Sequence, residues 1–231
     1  EFMREVLAYS SMSELSRAVQ APATCGNLGA YLGKFRLPLQ CLHTAEHIRQ
    51  AARIFLLSLV PDGIVYVEVR FSPAELATPE LSIRDVLDLV LAGLRDGQRE
   101  CGILFGVIRC AMRGDPPEKN MEIFSLAKEY LTQGVCAVDL AGDEVLYPQS
   151  DFQPLFSYAR DNGIPFTVHA GECGSAENIV DALQMGTKRI GHGLAMAGKP
   201  NLQRFCAEHH IGIELCPTSN FQTRAVSSIG D

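Results

Sequence analysis

The chain lacks a Cys-x-x-Cys pair, an excess of positive charge and any apolar run of membrane-spanning length. Each absence excludes something. Without closely spaced cysteines, the eight cysteines read as reduced thiols. Cys101, Cys110, Cys136 and Cys216 lie in apolar contexts that suit a core. A disulfide framework is the alternative, but this usage points to a cytoplasmic protein. The net charge is −7 at pH 7, so neither a nucleic-acid polymer nor an anionic membrane is an expected partner. No segment reaches the ~20 apolar residues that a bilayer-spanning helix needs. The N-terminus has no basic, then apolar, then small-residue order, so no signal peptide is expected. Low-complexity tracts and linkers are absent too. What remains is 231 residues of ordinary apolar content. That is enough for one domain with a substantial core, or for a sizeable part of a larger one.

What is present alternates. Residues 43–60 carry Ile48, Ala51, Ala52, Phe55 and Leu59 at helical spacing. A strand follows over 65–71. Ser82 opens a helix as its N-cap, with Asp85 reaching back and Val86, Leu89, Val90 and Leu94 as its core face. The expected order continues as strand 103–110, helix 118–133, strand 135–140, helix 152–162 and strand 164–169. Helix 175–185, strand 188–191, helix 200–209 and strand 211–216 complete it. Such alternation implies a parallel sheet with helical crossovers. It contains six strands and reads as a single domain over 1–231.

Polar chemistry gathers at the strand ends. Thr167-Val168-His169-Ala170-Gly171-Glu172 follows an apolar run and sets a histidine and a glutamate three residues apart. A neutral imidazole ligates zinc, and a nearby carboxylic acid moves protons, so the pair suggests metal-assisted hydrolysis. A strand-end histidine beside a solvated glutamate is the plainer alternative. Downstream, His192 stands between Gly191 and Gly193, and glycine there lets backbone approach a ligand. Further strand ends carry Asp139-Leu140-Ala141-Gly142-Asp143-Glu144 and Cys216-Pro217-Thr218-Ser219-Asn220.

Together with Val65-Tyr66-Val67-Glu68-Val69-Arg70-Phe71-Ser72-Pro73, these motifs resemble the adenosine deaminase family in order and spacing along nearly the whole chain. The resemblance implies a (β/α)8 TIM-type barrel of the metal-dependent hydrolase kind and a Zn2+ cofactor. It makes His169 a metal ligand and Glu172 the proton donor to purine N1. His192 becomes the residue that orients the attacking water and takes its proton. Gly142 would offer its backbone N–H to the purine. Asn27 to Phe35 resembles the family's helix over the pocket, with Leu28, Tyr31, Leu32 and Phe35 as its apolar wall and Met112 opposite. At helical spacing such residues also suit a core. Asp139 would support the site from behind, and Ser219 and Asn220 would build a turn. His43 and His47, spaced i,i+4 on a helix, and His209-His210 at a helix end receive no ligand role.

The sequence departs from the family at both ends. No His-x-His occurs, no histidine precedes His43, and the only aspartate after Asn220 is Asp231. The first and last strands of the barrel are therefore expected to be absent. Strands 65–71 and 211–216 would lack outer neighbours, leaving two edges to be covered. One histidine cannot hold a catalytic zinc, which takes at least three protein ligands. Residues 1–231 alone are thus expected to be inactive. The expected function is zinc-dependent hydrolytic deamination of adenosine or deoxyadenosine to inosine or deoxyinosine and ammonia. An adenine or modified-adenosine deaminase, and a non-catalytic purine-binding relative, are the alternatives. The partner is a small purine nucleoside, and the sequence leaves the oligomeric state open.

Overall fold

The structure, a computed structural model, describes residues 2–21, 28–173 and 175–228. In chain order the elements begin with α1 (Phe2–Val6), α2 (Met12–Val19), α3 (Leu28–Leu32), α4 (Arg36–Leu39) and α5 (Ala45–Ser58). They continue with β1 (Tyr66–Phe71), α6 (Ile83–Cys101), β2 (Leu104–Met112), α7 (Pro117–Tyr130), β3 (Val135–Ala141) and α8 (Gln153–Asp161). Last come β4 (Val168–Ala170), α9 (Ala176–Met185), β5 (Arg189–His192), α10 (Pro200–Glu208), β6 (Gly212–Glu214) and α11 (Pro217–Gln222). The alternation expected from the sequence is present, with six strands among the described residues. Strand order is β1-β2-β3 in one sheet and β4-β5-β6 in another.

The chain divides into two compact units. The first comprises Glu1–Gln20, Leu32–Arg109 and Tyr130–Cys136. Here β1 pairs β2 in parallel, Tyr66 against Leu104 through Phe71 against Arg109. Helix α6 begins where expected. The Asp85 N–H donates to Ser82 Oγ at 3.2 Å, and the Ser82 N–H donates to Asp85 Oδ2 at 2.9 Å. It ends at Gly102 in the left-handed region, φ +77°, where glycine carries no Cβ penalty. Its buried stripe is Val86, Leu87, Val90, Leu91 and Leu94, while Leu89 is only half-buried.

Glycine explains a second difference. A Cβ on Gly93 would lie 2.1 Å from the Arg49 carbonyl oxygen and 2.9 Å from Ala52 Cβ. One on Gly97 would lie 3.1 Å from Leu56 Cβ. Helices α5 and α6 therefore cross backbone to backbone on this glycine pair. The contact buries Ile48, as expected, and Leu56, but leaves Phe55 41 % exposed, so the apolar face departs from the expected one over the second half of the helix. Arg49–Asp96 at 2.7 Å and Arg53–Glu100 at 2.5 Å flank the crossing. His43 precedes the N-cap Thr44, so it and His47 do not share a helix face. His47 instead packs edge-on to Phe2, with ring centroids 5.5 Å apart.

The second unit comprises Ala21–Tyr31, Cys110–Glu129 and Ala137–Asp231. Its sheet is parallel, with Val168 opposite Ile190, His169 opposite Gly191, Ala170 opposite His192, and Gly191 opposite Glu214. β4 is shorter than the expected 164–169. Pro165 has no N–H to donate; its carbonyl accepts from Val138 N at 2.9 Å, and Thr167 N donates to Val138 O at 3.0 Å. That makes a single parallel bridge between Val138 and Phe166 ahead of the regular strand. The core behind it is aromatic. Phe156 of α8 lies edge-on to Phe124 of α7 at 5.6 Å and tilted to Phe166 at 5.1 Å.

Candidate active site

Parallel registration sets two imidazoles side by side at the C-terminal ends of β4 and β5. The His169 and His192 ring centroids are 5.3 Å apart. His169 Nδ1 lies 2.8 Å from Oδ2 of Asp139, a fully buried residue of β3. The Cys110 thiol approaches the same oxygen at 3.5 Å. A carboxylate this close to Nδ1, with Nε2 turned away from it, is the arrangement used to orient metal-binding histidines.

His192 closes β5 in an uncommon conformation. Its φ is +67°, and Gly193 follows at +66°. Two left-handed residues in succession swing the chain off the strand, and glycine accepts the second at no steric cost. The imidazole is left buried, 7 % exposed. Its Nδ1 lies 2.8 Å from Asn220 Oδ1, and its Nε2 faces Glu172 Oε2 across 3.7 Å. That second gap is beyond a direct hydrogen bond.

Glu172 follows β4 by two residues and is 7 % exposed. Burial pushes its carboxyl above the usual glutamate range; the two histidines oppose this and the Glu144 carboxylate reinforces it. Burial and the charges of Glu172, Glu144 and Asp143 push the neighbouring Cys173 thiol up to about 12, so it is not a nucleophile at neutral pH. Glu144 is itself buried and accepts from Gly171 N at 2.8 Å, Cys173 N at 2.6 Å and Asn178 Nδ2 at 3.0 Å. Arg113 donates to the His169 carbonyl at 2.9 Å, Tyr147 O at 2.8 Å and Gln149 Oε1 at 2.7 Å.

A cavity of about 690 Å³ opens beside Glu172, with Leu28, Asp143, Leu194, Thr223 and Arg224 among its walls. The structure thus brings His169, Glu172 and His192 together and sets Leu28 on the same cavity as the acid. Tyr31 and Met112 are half-buried and are not among the lining residues. Leu32 and Phe35 fall in the first unit, and Phe35 is 49 % exposed. The single helix expected over 27–35 is instead α3, a 3₁₀ turn over Gly33–Phe35 and then α4; Asn27 lies outside the described residues.

The glycines also sort. Gly142 has φ +107°, and a Cβ there would meet Arg113 Cβ at 3.2 Å, so backbone conformation already requires glycine. A Cβ on Gly191 would meet only ordinary contacts, His169 at 3.5 Å and Glu214 at 3.6 Å, so close approach does not demand that one. His209 stacks on Phe205 at 4.0 Å, away from the site residues in sequence and at a helix end as expected. Sequence reasoning missed two side chains. Asn220 reads as a turn residue, yet its amide reaches His192. Glu144 reads as part of a loop, yet it binds the backbone around Glu172.

Zinc in a catalytic site takes at least three protein ligands. His169, oriented by Asp139, suits one of them. Among the described residues no group of three or more His, Cys, Asp or Glu side chains is arranged to hold a metal ion. The described donors therefore fit a share of a zinc site rather than a whole one.

The sequence profile described as adenosine deaminase matches residues 6–231. The chain belongs to the adenosine deaminase family. It is 37 % identical over 217 residues to an adenosine deaminase of Enterococcus faecalis, covering 94 % of this chain and 64 % of the relative. It thus spans slightly less than two thirds of that relative's length. In fold it is similar to an adenine deaminase of Arthrobacter aurescens, with a TM-score of 0.85 at 22 % identity, covering 99 % of this chain and 70 % of the other. An amidohydrolase of Burkhoderia ambifaria solved with bound zinc gives 0.84 at 21 %, covering 97 % and 62 %. The fold is accordingly that of the barrel-type deaminases, with six strands among the described residues. No described helix of this adenosine deaminase family member is long and apolar enough to cross a membrane.

Proposed function

We propose that the protein is a zinc-dependent purine nucleoside aminohydrolase, converting adenosine or deoxyadenosine and water to inosine or deoxyinosine and ammonia. One observation carries the reading: the Glu172 carboxyl is buried, held toward its protonated form, and faces His192 at 3.7 Å beside an open cavity. A carboxyl held toward its protonated form can hand its proton to purine N1, which makes the adjacent C6 electrophilic. Asn220 Oδ1 holds the Nδ1 proton of His192, so Nε2 is the atom free to accept a proton from the attacking water. His169 would hold zinc through Nε2, and zinc, when bound, supplies a water of lowered pKa. The Gly142 N–H would meet the purine. Leu28 would wall the cavity, with Tyr31, Leu32, Phe35 and Met112 as the further apolar residues of this reading. Residues 1–231 are taken as part of one catalytic domain, and the similarity to adenosine deaminases supports the substrate.

The test is ammonia release by the full-length protein offered adenosine or adenine, with zinc content measured on the same preparation. Turnover of adenine alone replaces nucleoside by base. Purine binding without ammonia makes the protein a non-catalytic relative. Asp139→Asn removes the charge that orients His169. It is expected to weaken zinc affinity by about 10–100-fold with the fold intact. Unchanged zinc affinity by competition with a chelator would show that the Asp139 charge does not tune His169 as a ligand.

A further inference from the structure

We propose that Glu144 is the positioning residue for Glu172: its buried carboxylate clamps the backbone on both sides of the acid and so sets where the acid's carboxyl points. The inference rests on the acid role given to Glu172 above.

The geometry is specific. Residues 171 and 173 flank Glu172, and both of their N–H groups donate to Glu144, to Oε2 at 2.8 Å and Oε1 at 2.6 Å. The segment 171–173 lies outside helix and strand, so no ladder holds it. Gly171 is left-handed at φ +71°, and a Cβ there would meet Ile179 Cδ1 at 2.4 Å, so the chain is pressed against α9. Glu144 is in turn anchored on α9. Asn178 Nδ2 donates to Oε2 at 3.0 Å, and Asn178 Oδ1 accepts from Gln149 N at 2.7 Å. The neighbours Asp143 and Val145 line the cavity; Glu144 does not, and it is 4 % exposed. It reaches the acid through this backbone rather than through the cavity. A carboxylate accepts through both oxygens, so it can serve both flanking amides at once. A glutamine offers one acceptor oxygen and turns N–H groups toward the other amide. Hydrogen bonds to a charged acceptor are the strong ones, which suits a loop that must not move when substrate arrives.

Glu144→Gln is the test, made in the full-length protein beside Glu172→Gln and the double variant. Amide exchange at residues 171 and 173 is expected to speed up by at least 10-fold. kcat should fall about 10–100-fold, KM should change less than about 3-fold, and zinc content should hold. In the Glu172→Gln background the same change should cost less than about 2-fold, because the residue it positions no longer acts. Losses that multiply in the double variant, or a change confined to KM, would overturn the proposal. Unchanged exchange at both amides would overturn it as well. Near-normal turnover by Glu172→Gln alone strikes the acid role instead, while the exchange data still decide the clamp. Should Glu144→Gln not fold, Asn178→Ala loosens the same carboxylate while leaving its charge, and smaller shifts of the same kind are expected.

Discussion

Glu172→Gln is expected to lower kcat for adenosine by about 10²–10⁴-fold, the usual contribution of a positioned acid. The substitution keeps shape and removes the titratable proton, so zinc content and KM should stay close to those of the parent. Ammonia release and metal content on one preparation decide it. A variant within about 5-fold of the parent would show that the proton reaches N1 from elsewhere. The same change alters the pH dependence of stability, and the sign follows from burial. The native carboxyl is held above its unfolded value, about 4.3 for a free glutamate. Its contribution to stability is therefore complete below that value and is lost as pH rises through the native one. Glutamine has nothing to lose. The melting temperature of the variant relative to the parent should be lowest near pH 4 and climb as the pH rises from there. A difference that stays flat or falls with that rise would contradict the burial argument.

Phe156→Ala is expected to cost about 3–5 kcal/mol, the range for deleting a fully buried aromatic ring. Phe156 has no exposed surface and packs against both Phe124 and Phe166. The surrounding helices and strand cannot close the gap without moving the bridge between Val138 and Phe166. At about 2–4 °C per kcal/mol for a domain of this size, Tm should drop by roughly 6–20 °C. Urea unfolding should show a lower midpoint with an unchanged slope. A loss under about 1 kcal/mol would mean the ring is not a core element. Because Phe166 lies three residues before His169, some loss of turnover should accompany the loss of stability.

Element order was legible because period and punctuation agree. Ser82 with Asp85 opens α6 and Gly102 closes it, and the apolar stripe between them has one reading. Where the sequence-based expectation slipped, a tertiary constraint had decided. Phe55 has the right spacing for burial, but the glycine pair at 93 and 97 draws α5 in along a neighbouring line. The strand expected over 164–169 is cut short, because Pro165 lends only its carbonyl to the pairing with Val138. In the site, His169, Glu172 and His192 could be chosen because they stand at strand ends and registered parallel strands level those ends. Asn220 and Glu144 could not. Each acts through a hydrogen bond to a residue far along the chain, His192 in one case and the backbone beside Glu172 in the other. Sequence spacing carries no trace of that meeting. Tyr31 and Met112 are not among the cavity's lining residues for a related reason: helical or strand spacing says that an apolar side chain is covered, not what covers it.

The left-handed backbone of His192 reaches beyond chemistry to which amino acids that position can hold at all. Asparagine, aspartate and glycine visit that region readily, whereas valine, isoleucine and threonine are genuine outliers there. A library randomised at residue 192 should therefore separate into two tiers before any activity is read. Soluble, well-folded members should cluster among the small polar residues and glycine, and β-branched members should be depleted. Loss of function at this position has two distinct origins, a missing imidazole and a chain that cannot turn. Asparagine is the replacement that isolates the first, and a β-branched residue mixes both. Mutational tolerance here is set by the turn as much as by the ring.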